Sequence, residues 1–144
     1  MHRLLFLALG TFVWGCASVD TTRHAPVEGD ARQTFAAPYD DVVRATRESL
    51  PAMGLHLRSD QQIDRATQLL IAERCGRGTS WGELVRVTLH DSGKSVEARV
   101  FTEPRFLPDL SADWDLSPNL FWEINQRLHP AAVAVADHVP GEAH

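Results

Sequence analysis

Lysine is almost missing from this chain: Lys94 stands alone beside thirteen arginines, a bias with no chemistry of its own. There are only two cysteines, Cys16 and Cys75. That excludes a disulfide framework and any zinc site built on four thiolates. No apolar run reaches the roughly 20 residues that a membrane-spanning helix needs. Positive charge is in deficit, with 14 Lys and Arg against 19 Asp and Glu and a formal net charge of −5. Such a balance argues against nucleic acid, whose binders carry a basic patch, and against electrostatic docking on anionic lipid. The chain has neither an internal repeat nor a low-complexity tract, which leaves 144 residues as one modest domain.

The most informative stretch lies at the start. His2 and Arg3 precede Leu4-Leu5-Phe6-Leu7-Ala8-Leu9-Gly10-Thr11-Phe12-Val13-Trp14-Gly15-Cys16. A short cationic head, an apolar run and a small residue at the break are the parts of a secretory signal. Val13-Trp14-Gly15-Cys16 resembles the lipobox of bacterial lipoproteins. The resemblance implies a signal peptide over residues 1–15, cleavage before Cys16, and acylation of the Cys16 thiol and its new amino group. Two or three acyl chains would then hold the chain on a membrane, since one chain binds only marginally. Ala17 stands where aspartate would imply retention at the inner membrane, so the resemblance implies the outer membrane, periplasmic side. Gly15-Cys16-Ala17 is also a small-x-small site for ordinary signal peptidase, which would free a soluble periplasmic chain beginning at Ser18. Cleavage before Cys16 leaves 13 basic and 19 acidic side chains, a net of −6.

Residues 16–32 are the lipidated Cys16 and a linker: Ala17 to Arg32 lacks helical or strand periodicity and holds Pro26 and Gly29, which predicts a flexible segment. Sixteen such residues span roughly 20–24 Å, enough to hold a domain clear of the headgroups. Residues 33–139 form the expected domain, followed by a tail over 140–144. After a short strand at Gln33-Thr34-Phe35, Pro38 opens a helix with Asp40 and Asp41 in its first turn, where negative charge meets the positive end of the dipole. Tyr39, Val42, Val43, Thr46, Leu50 and Met53 form its buried stripe, with Arg44, Arg47 and Glu48 wet; Pro51 strains the end and Gly54 stops it.

Four strands follow. Leu55, Leu57 and Ser59 alternate with His56, Arg58 and Asp60 as a half-buried strand. Asp64-Arg65-Ala66-Thr67 turns into Gln68–Arg74. Glu83–His90 places Val85, Val87 and Leu89 inward and Arg86, Thr88 and His90 outward. Asp91-Ser92-Gly93-Lys94 makes the hairpin into Ser95–Thr102, with Val96, Ala98 and Val100 inward. Ser117-Pro118 starts a second helix with a Phe121, Ile124, Leu128 stripe, broken or kinked at Pro130, with Ala131–Val139 as a short continuation. The expected fold is α+β, an antiparallel meander with two helices on one face, in the order β-α-β-β-β-β-α.

Phe35-Ala36-Ala37-Pro38-Tyr39-Asp40-Asp41-Val42, then Leu50, Gly54-Leu55 and Ser59-Asp60, resemble the opening of small helix-grip domains in bacterial envelope lipoproteins. These include the two-domain lipoprotein of the outer-membrane barrel-assembly machinery and its single-domain relatives. The likeness covers residues 33–129. It departs at Val42 or Val43, where a tryptophan is usual, and at Asp64–Thr67, which lacks the usual glycine. It implies a non-catalytic binding or scaffold module, with an envelope protein as partner.

Motifs that carry chemistry are weak. Gly76-Arg77-Gly78 lacks the third glycine of a dinucleotide loop and precedes a strand. Asp109, Asp113 and Asp115 lack the glycine and terminal glutamate of a calcium loop. His56 and His90 share an outward register with Arg58, Arg86 and Arg99, which suits either an anion or metal site or a solvated sheet face. Cys75 lies between Arg74 and Arg77, a setting that favours thiolate, but it serves equally as a small buried hydrophobe. The 104–117 stretch is long for a loop, and its Phe106, Leu110 and Trp114 are candidates either for an interface or for covering the core edge. No enzyme activity, cofactor or metal is expected. The alternative is a soluble periplasmic small-ligand-binding or accessory enzyme protein using the sheet face or Cys75.

Overall fold

The computed structural model describes residues 18–75, 82–105 and 115–130. The elements run α1 (Val19–Arg23), β1 (Ala31–Phe35), α2 (Tyr39–Ala52), β2 (His56–Asp64), β3 (Thr67–Cys75), β4 (Gly82–Asp91), β5 (Val96–Pro104) and α3 (Ser117–Leu128). The five strands form one antiparallel sheet in the order β1-β5-β4-β3-β2. Thus β2 to β5 make the meander, and β1 adds at its far edge with Phe35 opposite Val96. The α+β class and the strand and helix order expected from residue 33 onward are those observed.

Alternation decides which residues meet the helices. Val85, Val87 and Leu89 on β4 stand beside Val96, Ala98 and Val100 on β5, and all six are buried. Leu70 and Ala72 extend the same face on β3. α2 contributes Val42, Val43, Ala45 and Leu50, and α3 contributes Leu120, Phe121 and Ile124. The buried hydroxyls of Thr46 and Ser49 donate to the carbonyls of Val42 and Ala45 in their own helix, so the α2 stripe takes them in without stranding a polar group.

The end of α2 shows why Pro51 is tolerated. Proline removes one N–H, but the helix closes within a turn of it. The amide of Gly54 donates to the Pro51 carbonyl at 3.0 Å and that of Leu55 to Leu50 at 2.9 Å, the paired bonds of a Schellman stop. Gly54 sits at φ 73°, where a Cβ would be strained. The apolar clasp of this motif is Leu50 with Leu55, both buried.

Several expectations are corrected. Pro38 is the N-cap of α2, one place before the first helical position. α3 is capped at Leu116, not Ser117; the Asp115 carboxylate accepts from the Ser117 amide at 3.0 Å and from its hydroxyl. β2 is not half-buried: it is an edge strand, with Leu57 42% and Ile63 57% exposed. Register shifts at Leu57/Ser59 and Gln62/Asp64 twist it, and Arg58, Asp60 and Asp64 charge it. Those features blunt an open edge against pairing with another chain.

The largest correction concerns the expected linker. Residues 18–30 are ordered, and α1 packs on the sheet face opposite α2 and α3, against β3 and β4. Ser18 begins α1 with a capping box: its hydroxyl accepts from the Thr21 amide at 3.2 Å, and its own amide donates to the Thr21 hydroxyl at 2.7 Å. The domain therefore has three layers over these residues.

Candidate functional site

Arg86 fastens the third layer. It points away from the helices, as its place in β4 requires, yet it is only 2% exposed. Its Nη2 donates to both carboxylate oxygens of Asp30 at 3.0 Å. Its Nη1 donates to the carbonyls of Ala25 at 2.6 Å and Thr22 at 3.1 Å, and Nη2 reaches the Pro26 carbonyl at 3.3 Å. The guanidinium carbon lies 5.1 Å from the centre of the Phe101 ring. A planar fork of five donors suits this task, because it can hold a carboxylate and the carbonyls at the end of a short helix together. Arg23 and Thr22 add side contacts, to Ser59 at 3.3 Å and Glu103 at 3.1 Å.

The open end of the sheet carries a second set of charges. Glu73, buried in β3, accepts from Arg58 and lies 3.5 Å from Arg105. Glu83 on β4 accepts from Nε of Arg74 at 2.8 Å. Cys75 is an exposed free thiol. Its neighbour Arg74 is committed to Glu83, and Arg77, the second arginine of the expected setting, lies outside the described residues. Cys75 borders an open cavity of about 570 Å³ with Arg47, His56 and Arg58. Both flanking arginines are also committed, Arg58 to Glu73 and Arg47 to Asp60 at 2.7 Å.

Asp60 has a carboxyl pKa below the ordinary range. Burial raises it, but hydrogen bonds from Arg47 and Gln68, with the Arg47 charge, outweigh that effect. The folded pKa is depressed, so Asp60 contributes stability above its unfolded pKa and loses it as pH falls through the folded value. Arg47→Gln should therefore flatten the acid limb of a stability–pH curve below about pH 5, with the two proteins converging at the acid end. Urea titrations across that range check this, and parallel curves would remove the linkage.

His56 and His90 do occupy one face, as the register predicted, but not one site. His56 pairs with Glu73 and His90 with Thr67. Those partners lie six positions apart on β3, about 20 Å of strand. The Nδ1 of His90 is 3.1 Å from the Thr67 hydroxyl. Arg86 leaves the set because it is buried beneath α1. Among the described residues no three His, Cys, Asp or Glu side chains gather as metal ligands.

A groove of about 460 Å³ runs between β1 and α3, lined by Ala31, Gln33, Pro118, Phe121, Trp122 and Asn125 among others. Trp122 is 59% exposed. Among the described residues β1 has one sheet neighbour, β5, so its outer backbone borders this groove. Sequence reasoning passed over Trp122, although it falls off the Phe121, Ile124, Leu128 stripe and so had to face outward. Cys16, Phe106, Leu110 and Trp114 all lie outside the described residues.

No protein-family model, curated protein or solved structure matches the chain.

Proposed function

We propose that this is a lipoprotein of the bacterial outer membrane, anchored through Cys16 on the periplasmic side. In this reading it is a non-catalytic binding or scaffold module for another envelope protein. The observation that carries the reading is the Leu4–Cys16 stretch, where a cationic head and a short apolar run end at cysteine. No helix among the described residues is long and apolar enough to cross a membrane, and acylation would supply attachment without one. The binding role draws support from an exposed tryptophan beside a sheet edge, the residue type and backbone geometry that interfaces use.

Radiolabelled palmitate is expected to enter the protein in growing cells. Cys16→Ala should abolish that label and move the chain from the membrane to the soluble fraction. Label that persists in the variant would overturn the anchor. The alternative, a soluble periplasmic ligand-binding or accessory enzyme protein, is favoured by the cavity that Cys75 and His56 share. Loss of phenotype in a folded Cys75→Ser protein would select it.

A further inference from the structure

The ordered segment 18–30, a strap across the sheet, makes the anchor far shorter than a linker would be. Resting on the acylation reading above, we infer that the sheet face bearing α1 lies against the bilayer surface, with α2 and α3 turned away from it. Cys16 is two residues from Ser18, the cap of α1. Whatever path residues 16 and 17 take, two residues reach at most about 7 Å. The headgroup layer on each side of a bilayer is roughly 5–8 Å thick, from ~40–45 Å in total around ~30 Å of hydrocarbon. The glycerol of an acylated Cys16 sits within that layer, so crossing it uses up the whole reach. Ser18 then lies at the headgroup surface.

The rest of the strap cannot lengthen the tether without breaking contacts. The capping box closes Ser18 onto Thr21. Thr22 is held by Glu103, and the carbonyls of Thr22, Ala25 and Pro26 are held by Arg86. Asp30 is locked to the same arginine with both side chains almost fully buried. A helix is about 10–12 Å across, so the α2–α3 layer stands beyond both α1 and the sheet. The surface that α1 offers to headgroups is polar and nearly balanced, with exposed Asp20 beside Arg23 and His24. It fits a zwitterionic phospholipid surface, and the lipid chains at Cys16, not charge, supply the hold.

Spin labels test the orientation in the full acylated chain, purified from membranes and placed in phosphatidylcholine vesicles containing a nickel-chelating lipid. With Cys75→Ser as background, one label is set at Asp20→Cys on α1 and another at Asn125→Cys on α3. Relaxation by the nickel surface is expected to be several-fold stronger at position 20 than at position 125. Inserting sixteen Gly/Ser residues between Ala17 and Ser18, which adds roughly 20–24 Å of reach, should remove the difference. Equal relaxation at both sites in a vesicle-bound native-length chain would overturn the orientation and leave the anchor standing. A chain whose mass shows no acyl groups and which does not sediment with vesicles would overturn the anchor and the orientation together.

Discussion

Arg86→Ala is expected to destabilise the domain by about 3–5 kcal/mol, the usual cost of removing one partner from a buried ion pair. The cost does not come from the attraction lost, which is offset in the native protein by the desolvation of both ions. It comes from what stays behind. Asp30 would remain inside the protein with its carboxylate facing no cation, and the carbonyls of Thr22, Ala25 and Pro26 would lose the donor aimed at them. Against a typical total of 5–15 kcal/mol, that is a large share. Urea denaturation followed by circular dichroism reads it. Arg86→Lys keeps the charge but not the planar fork, so it should fall between the wild type and alanine. Asp30→Ala combined with Arg86→Ala should cost less than the two single changes added together, because each single change already strands the other partner. A loss below about 1 kcal/mol for Arg86→Ala would put this pair among exposed ion pairs, against the geometry described. Hydrogen exchange separates peeling from global unfolding: protection lost first at Ser18–Asp30 would mark the strap as a unit that opens by itself.

That pair also marks the limit of what the chain discloses before it is folded. Period-two alternation places Val85, Val87, Leu89, Val96, Ala98 and Val100 on one face, and helical spacing places Val42, Val43, Leu50, Phe121 and Ile124 opposite them, where they are found. These signals are local, so they survive without the fold. Arg86 carries the opposite signal. An arginine on the polar register of a strand looks solvated, and only a segment 56 to 64 residues earlier makes it a core residue. That segment gives no warning either, since five helical residues are too few to show a period, and Pro26 and Gly29 have the look of a linker. Leu57 failed in the reverse direction. Its alternation with His56 and Arg58 suggested a buried side, but register shifts and an edge position leave it exposed. Of the candidate site residues, the groove's Trp122 was legible from its place off the apolar stripe, whereas the cavity beside Cys75 depends on the end of α2 meeting β2, which no local pattern encodes.

Phe121→Ala is expected to cost about 3–5 kcal/mol, while the adjacent Trp122→Ala should stay within about 0.5 kcal/mol. The contrast follows from position alone. Phe121 is buried where α3 meets the sheet edge, its ring centre 6.4 Å from that of Phe35 on β1 and tilted by 59°. Burying such a side chain contributes about 1.5–3 kcal/mol. A tilted aromatic pair adds about 0.5–1.5 kcal/mol, and the cavity left by alanine supplies the remainder, because β1 and α3 have few other contacts through which to collapse on it. Phe35→Leu should cost less than Phe121→Ala, and the double variant should cost less than the sum if the rings interact. Trp122 is the larger side chain, yet most of it meets water, so its removal strands little. Thermal and urea unfolding of both proteins give the comparison. Should Trp122→Ala prove as damaging as Phe121→Ala, that indole would belong to the core and could not serve a partner at the β1–α3 groove. A stable, folded Trp122→Ala chain that stays on the membrane but fails in its cellular role would separate binding from folding at a single side chain.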